Sequence, residues 1–302
     1  GHTNEVFNQM MNQENYTGNG NACSVHDYFK EQSYGKLNLT FDVVGPVTVS
    51  ENIAYYGKNI GNSDAQNAVK MVVEACQLAD EEVNFADYDW NGDGEVDQVF
   101  VIYAGYSEAQ GGPSTSIWPH EWDLSSAGYT LRLDGVKVKT YGCTAELNGS
   151  AGSKMDGIGT ACHEFSHCFG LPDMYDYGHY YFGMNVWSIM DQGVYLNNGY
   201  APCGYTAYER MFSGWLEPVE LTDRSFIENM QPLEDSPEAY IIYNDGNRNE
   251  FYVLENRQQK KTDSYLYGHG LLVTHVDYSA SAWKNNTVNS SQYGTHERCT
   301  II

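Results

Sequence analysis

The sequence predicts an α+β fold with a mixed, twisted sheet. Helix and strand patterns are interleaved early in the chain, and strand patterns rich in aromatic and β-branched residues dominate late. The chain has 302 residues, with 41% hydrophobic and 14% aromatic residues, which is enough for a large core. Because neither an internal repeat nor a low-complexity linker interrupts it, we expect a single domain over residues 1–302.

The early part of the chain alternates between helix and strand signals. The segment 24–35, SVHDYFKEQSYG, predicts a helix that closes at Gly35, and 36–47, KLNLTFDVVGPV, has the period-two alternation of a strand. Helical spacing of apolar residues predicts another helix from about Asp64 to Asp80. The apolar run QVFVIYAG then predicts a buried strand.

The later part of the chain carries mainly strand signals. Three segments, EAYIIYN, EFYVLENR and GLLVTHVDY, have the aromatic and β-branched content of a sheet. We therefore expect a C-terminal part rich in strands and loops.

Charge and cysteine content exclude several classes of protein. The 16 Lys and Arg against 40 Asp and Glu give a net charge of −24, which would repel nucleic acid and anionic lipid surfaces. No apolar run is long enough for a transmembrane segment. The seven cysteines include no CxxC pair, which argues against a zinc ribbon and leaves their pairing open. The oligomeric state is not predicted.

The stretch Ala161 to Asp176, ACHEFSHCFGLPDMYD, predicts a two-faced helix. His163 and His167 lie one turn apart, so both imidazoles can reach one ion. The opposite side of the helix carries the apolar residues Ile158, Cys162, Phe165 and Phe169.

The residues after this helix complete a candidate metal site. Gly170 can end the helix in the left-handed conformation, and Pro172 favours a sharp turn that brings Asp173 back toward the imidazoles. Two histidines and one carboxylate leave a fourth position of a zinc ion open for water, as in catalytic sites. Glu164, beside the first histidine, is placed to act on that water. A glutamate on a later helix, Glu209, is the rival third ligand.

The string HEFSHCFGLPD resembles the HExxHxxGxxH/D signature of metzincin-type zinc peptidases, and WSIMDQG, with Met190, looks like their Met-turn. Together with SYGKLNLTFDVVGPV, DYDWNGDGEVDQVFVIYAG, IWPHEW, AYERMFSGWLEP and GHGLLVTHVDY, it resembles the immune-inhibitor-A-like family of secreted bacterial metalloproteases, from about Ser24 to Arg298. The resemblance implies a metzincin-like zincin fold with an N-terminal subdomain over about 1–170 and a C-terminal subdomain over about 171–302.

The same resemblance implies the roles of the site residues. His163, His167 and Asp173 are expected to bind one catalytic zinc ion, with Glu164 as general base, so that zinc-activated water hydrolyses internal peptide bonds of protein or peptide substrates outside the cell. The alternative is a catalytically silent, calcium-stabilised binding module of the same fold. The mechanism calls for a second hydrogen-bond donor to the oxyanion. Tyr195 is either this donor or an ordinary core tyrosine.

The loop DWNGDGEVD predicts a second cation site. Its oxygen-bearing side chains follow the first nine positions of an EF-hand loop, with Glu95 at the position that offers its backbone carbonyl. The candidate ligands of a structural calcium ion are Asp89, Asn91, Asp93, Glu95 and Asp97. Because Phe100 replaces the usual glutamate at position twelve, an acidic turn without calcium stays open as the alternative.

Two further histidines have a structural and a functional interpretation. His120, in IWPHEW, and His275, in LLVTHVDY, either line a cleft or pack against aromatic side chains with their ring nitrogens hydrogen-bonded. The aromatic surroundings favour the packed alternative.

Overall fold

The computed structural model describes residues 1–60, 67–294 and 296–302, and the protein has a mixed α/β fold. The α-helices within those ranges are α1 Asn4–Asn12, α2 Val25–Gln32, α3 Ile53–Tyr56, α4 Ala68–Ala79, α5 Ile158–Ser166, α6 Ala207–Phe212 and α7 Ala280–Lys284. The strands are β1 Glu95–Val96, β2 Val99–Tyr106, β3 His120–Asp123, β4 Leu131–Leu133, β5 Val136–Val138, β6 Thr140–Leu147, β7 Val219–Glu220, β8 Tyr240–Asn244, β9 Asn247–Arg257, β10 Gly270–Asp277 and β11 Cys299–Ile301.

The chain divides into two compact units. The first unit comprises Gly1–Met10 and Phe41–Phe165, and the second comprises Met11–Thr40 and Ser166–Ile302. The chain passes from the first unit to the second within helix α5. The assignment of these units to subdomains of one catalytic domain stays a prediction.

The first unit contains two small mixed sheets. In one, β6 pairs in parallel with β2 and antiparallel with β3; in the other, β5 pairs in parallel with β1 and antiparallel with β4. Helix α4 packs the core through its apolar face, on which Val72 is fully buried. The same cluster includes Leu124 and Cys143, neither of which is exposed to solvent.

The second unit is built on a five-stranded sheet in the order β11-β10-β9-β8-β7. All neighbours are antiparallel except β7 and β8, which makes this sheet mixed as well. A separate aromatic group packs in this unit. Phe29 on α2 meets Phe169 and Tyr205 edge to face, and Trp215 contacts both of those rings, Phe169 edge to face and Tyr205 at a tilt of 30°.

Most predicted elements form, and the C-terminal strands are the clearest cases. Strands β8, β9 and β10 occupy the three late segments that were predicted to form a sheet. Helix α2 begins after the cap residue Ser24, and Gly35 follows it with a φ of +77°. Helix α4 fills most of the helix predicted from Asp64, although residues 64–66 lie outside the described residues. Strand β2 forms where QVFVIYAG predicts it, but most of its residues are half-buried rather than buried.

The prediction of a strand at residues 36–47 is wrong. All of these residues are described, and none belongs to a strand, although exposed and less exposed side chains alternate along them. The alternation therefore indicates correctly that the segment is extended with one face toward the protein. It carries no information on whether another strand lies alongside to accept its hydrogen bonds.

Apolar helices and cysteine burial can be described for the residues that the structure covers. No helix there has the length and apolarity needed to span a bilayer. Five of the seven cysteines are buried, namely Cys76, Cys143, Cys162, Cys203 and Cys299. Burial raises the pKa of Cys76 to about 12, which makes this thiol unreactive at neutral pH.

Candidate metal centre

Helix α5 presents the two faces that its sequence predicts. Ile158 and Cys162 are fully buried and Phe165 nearly so, packed edge to face on Phe41 with ring centroids 5.5 Å apart. After Ser166 the chain makes one 3-10 turn over His167–Phe169. Gly170 then adopts the left-handed conformation, with a φ of +81°, and donates its N–H to the carbonyl of His167. This glycine ends the helix as predicted.

One set of metal-capable side chains lies on this helix and its final turn. The ligand atoms of His163, Glu164 and His167 all lie within 4.8 Å of one another. In the ranges that the structure describes, no other group of three or more His, Cys, Asp or Glu side chains meets that distance. Glu164 is buried and the two histidines are half-buried, so the carboxylate is held among side chains while the imidazoles are partly accessible.

The structure places Asp173 beside the second histidine. Its Oδ1 lies 3.5 Å from Nε2 of His167. The other ring nitrogen of His167, Nδ1, is 2.7 Å from the carbonyl oxygen of Leu171. A hydrogen bond from Nδ1 to a carbonyl fixes the tautomer in which Nε2 carries the lone pair, as is usual for metal-binding histidines.

Two residues that the sequence did not reveal hold the other oxygen of Asp173. Its Oδ2 accepts a hydrogen bond from the hydroxyl of Tyr177 at 2.9 Å and one from Nδ2 of Asn286 at 2.6 Å. The Asp173 N–H also donates to Oδ1 of Asn286 at 2.6 Å. Tyr177 is only four residues from Asp173, but Asn286 is 113 residues away, so no local pattern relates it to the site.

These distances and atom types fit a zinc ion. Two ligands at the usual zinc distances in a tetrahedral arrangement are about 3.3 Å apart. The 3.5 Å between His167 Nε2 and Asp173 Oδ1 is close to that separation. Imidazole nitrogens and a single carboxylate oxygen are also the donor set that zinc accepts in catalytic sites.

The Glu164 carboxylate adds negative charge beside two buried groups, Cys143 and Tyr103. Burial raises the pKa values of Cys143 and Tyr103, and the Glu164 carboxylate contributes to raising both. Both groups therefore remain neutral at physiological pH, and neither supplies a positive charge. A bound divalent cation would offset this charge.

The segment around Met190 lies next to the loop that carries Asp173. Met190 is fully buried, and its carbonyl accepts the N–H of Met174 at 2.8 Å. Its own N–H donates to the hydroxyl of Ser188, which in turn donates to Oε1 of Glu209. The chain is therefore fixed on both sides of Met190.

Glu209 is engaged in interactions that disfavour it as the rival third ligand. Its Oε2 accepts hydrogen bonds from the backbone N–H and the hydroxyl of Thr206, forming a capping box at the start of α6. Its Oε1 accepts from Ser188. Burial raises the pKa of this carboxyl, and the hydrogen bonds from Ser188 and Thr206 oppose that rise.

The loop predicted to bind calcium is organised by its own backbone. Asp89 accepts the N–H groups of Gly92 and Asp93 on one oxygen and that of Gly94 on the other. The Glu95 side chain lies 3.3 Å from Lys137 and 3.0 Å from Lys139, so it turns away from the loop.

The remaining candidate ligands follow the same pattern of local bonds. Asn91 accepts the N–H of Asp93, Asp93 accepts that of Glu95, and Asp97 accepts that of Trp90 at 2.6 Å. The loop carboxylates do not come within 4.8 Å of one another as a group of three. The loop is therefore preformed around Asp89 but more open than a calcium-bound EF-hand loop would be.

His120 and His275 pack against aromatic side chains with ring nitrogens at hydrogen-bonding distance, which is the structural alternative given for them above. The His120 ring meets Tyr141 edge to face, with Nε2 2.8 Å from the tyrosine hydroxyl and Nδ1 2.7 Å from a backbone carbonyl. His275 lies on Tyr252 and places Nε2 3.1 Å from Glu250. Tyr195 is 42% exposed, so it is not a core tyrosine.

Known proteins are similar to this sequence over about two thirds of its length. The profile of the immune inhibitor A peptidase M6 catalytic domain matches residues 2–215. The chain is 31% identical over 235 residues to the pre-pro-metalloprotease PrtV of Vibrio cholerae serotype O1, covering 67% of this chain and 25% of that protein. It is 26% identical over 226 residues to immune inhibitor A of Bacillus thuringiensis subsp. alesti, covering 64% of this chain and 33% of that protein. The chain thus spans only a quarter to a third of the length of these relatives.

Proposed function

Because the chain belongs to the immune inhibitor A peptidase M6 family, we propose that it is a zinc-dependent endopeptidase that hydrolyses internal peptide bonds of proteins. One observation carries the proposal: His163, Glu164 and His167 converge on one helical turn, with Asp173 Oδ1 3.5 Å from His167. Such convergence brings a ligand set and a base together, as zinc peptidases require.

The proposal gives each side chain one role. His163, His167 and Asp173 would hold the ion through two ring nitrogens and one carboxylate oxygen. A bound zinc ion supplies Lewis acidity, which lowers the pKa of water to about 7 and polarises a carbonyl group. Glu164 would take a proton from the attacking water at its carboxylate and deliver it to the nitrogen of the departing amine.

The substrate class and location follow from the same proposal. Extended segments of proteins or peptides would be the substrates, and we propose that the enzyme acts outside the cell, as its acidity and the resemblance to secreted proteases suggest. A binding module of the same fold that cleaves nothing is the other candidate. A buried glutamate directly beside a metal-binding histidine has a chemical use in the enzyme and none in such a module.

Metal removal tests the proposal directly. The purified chain is expected to clear casein in a zymogram, to lose that activity when a zinc chelator is added, and to regain it when zinc is restored in excess. A serine-protease inhibitor serves as the control and should have no effect. Clearing that persists after the metal has been removed would exclude the zinc mechanism, and no clearing in any lane would favour the binding module.

We propose in addition that the loop from Asp89 to Asp97 binds a structural calcium ion. The side chains of Asp89, Asn91, Asp93 and Asp97 and the backbone carbonyl of Glu95 would coordinate it. The hydrogen bonds from backbone N–H groups to Asp89 support this assignment, because they already turn the loop around the first of the candidate ligands.

Calcium removal should lower thermal stability without removing zinc. At a calcium concentration about 100 times the dissociation constant, the ion stabilises the folded state by about 2.7 kcal/mol, so a calcium-selective chelator should lower the melting temperature. The Asp93→Ala variant should no longer respond to calcium, whereas Asp245→Ala, an exposed acid in a different turn, should respond like the parent. A parent melting temperature that does not depend on calcium would contradict the proposal.

A further inference from the structure

We propose that Asn286 is a positioning residue. It orients the Asp173 carboxylate so that Oδ1, and not Oδ2, serves as the third metal ligand. This inference rests on the proposed function. Asn286 lies beyond residue 215, where the family profile ends, so the match to the family does not assign it any role.

The two hydrogen bonds between these residues fix the carboxylate in one orientation. Asn286 Oδ1 accepts the Asp173 N–H, and Asn286 Nδ2 donates to Asp173 Oδ2, each at 2.6 Å. A side-chain amide that contacts both the backbone and the carboxylate of one residue restrains that side chain relative to its own main chain. Oδ2 is thereby engaged, and Oδ1 is the oxygen that lies 3.5 Å from His167 Nε2.

The backbone conformation of Asn286 explains why this side chain is available. Asn286 follows helix α7 with a φ of +53°. Its N–H donates to Trp283 and that of Thr287 donates to Ala282, which is the pattern of a Schellman motif. Glycine is the usual residue at this position, and asparagine is the side chain that best tolerates it. The cap itself therefore does not need the carboxamide, whereas the contact with Asp173 does.

Helix α7 is held firmly enough to act as a support. Trp283, one turn before Asn286, is 5% exposed and packs against Tyr208 of α6 and Tyr278, with ring centroids 6.3 and 4.9 Å away. Aromatic contacts of this kind fix a short helix that would be unstable alone.

The residues after Asn286 fix the rest of the ligand loop. Asn289 is fully buried and donates to the carbonyl of Met174 at 2.7 Å. Ser291 donates its N–H and hydroxyl to Asp176. Burial raises the pKa of Asp176, but the hydrogen bonds from Ser291 and from backbone N–H groups outweigh it and hold the pKa well below its usual range. Segment 286–291 thus runs alongside 173–176 and contacts it at three points.

Zinc affinity in a double-mutant cycle tests the role of Asn286. The four proteins are the parent, Asn286→Gly, Asp173→Ala and the double variant, and the zinc dissociation constant of each is measured by competition with a chromogenic chelator. Glycine retains the left-handed backbone and removes only the amide. Asn229→Gly, which replaces an exposed asparagine with a φ of +56°, is the matched control.

We expect Asn286→Gly to weaken zinc binding about 10- to 100-fold, the usual effect of removing a group that orients a metal ligand. The Asn229→Gly variant should bind zinc like the parent. In the Asp173→Ala background, Asn286→Gly should have no further effect, because a residue that acts through Asp173 has nothing left to orient.

The possible outcomes separate this inference from the proposed function. Equal losses in both backgrounds, or no loss in either, would overturn the role of Asn286. If Asp173→Ala binds zinc too weakly to measure, the comparison with the control decides: weaker zinc binding by Asn286→Gly than by Asn229→Gly supports positioning, and equal binding by the two variants overturns it. A parent that binds no zinc would instead overturn the proposed function.

Discussion

Replacing Glu164 by glutamine is expected to lower the rate of casein cleavage by about 10²- to 10⁴-fold while leaving the zinc content unchanged. Glutamine has the same shape as glutamate and can keep the packing of a side chain that is 5% exposed. It cannot accept a proton from water at neutral pH. The ligands proposed for zinc are His163, His167 and Asp173, none of which is altered.

The matched control for this variant is Glu146→Gln. Glu146 is also buried, with 6% of its surface exposed, and its carboxylate accepts hydrogen bonds from the backbone and ring of His2. Its replacement should leave the cleavage rate at the parent level. Zinc-loaded Glu164→Gln that cleaves casein as fast as the parent would show that another group takes the proton.

The sequence predicts the metal helix well because its determinants are local. The spacing of His163 and His167 and the apolar stripe through Cys162 are properties of one helical wheel. Gly170, which ends the helix, acts within its own turn. Strands β8 to β10 are predicted for a related reason, since aromatic and β-branched runs favour strands wherever they pair.

Features that depend on distant partners could not be predicted in this way. The alternating segment 36–47 indicates its inward face but not whether a strand lies beside it. The sequence WKNNTV is compatible with a helix end at Asn286, but nothing in it identifies Asp173 as the partner. Arg257 lies in the polar string ENRQQK, which is typical of a solvated surface, and yet it is fully buried.

The Asp263→Ala substitution is expected to destabilise the folded protein by about 3–5 kcal/mol, because it leaves a buried arginine with one partner fewer. Arg257 donates to both carboxylate oxygens of Asp263, from Nε at 2.8 Å and from Nη2 at 2.6 Å. It also contacts Glu255 at 3.2 Å, and all three side chains have no solvent exposure. Urea unfolding of the parent and the variant, followed by tryptophan fluorescence, measures the difference.

Arg257 also connects this cluster to the chain near the candidate metal centre. The loss of Asp263 should therefore affect the metal centre as well. The guanidinium of Arg257 donates to the carbonyl of Trp187, which comes just before Ser188 and Met190 in the chain. It also donates to the carbonyl of Gly204, and Asp263 accepts the N–H of the same glycine. We therefore expect Asp263→Ala to lower zinc affinity as well as stability.

A surface ion pair provides the matched comparison. Asp235 pairs with Lys260 at 2.9 Å, but both side chains are largely in solvent, where screening and side-chain entropy cancel most of the attraction. Asp235→Ala should therefore unfold at the same urea concentration as the parent. Equal stability of the Asp263→Ala and Asp235→Ala proteins would mean that water enters the Arg257 cluster and solvates the charge. In that case the contacts of Arg257 with Trp187 and Gly204 could not be what couples this cluster to the candidate metal centre.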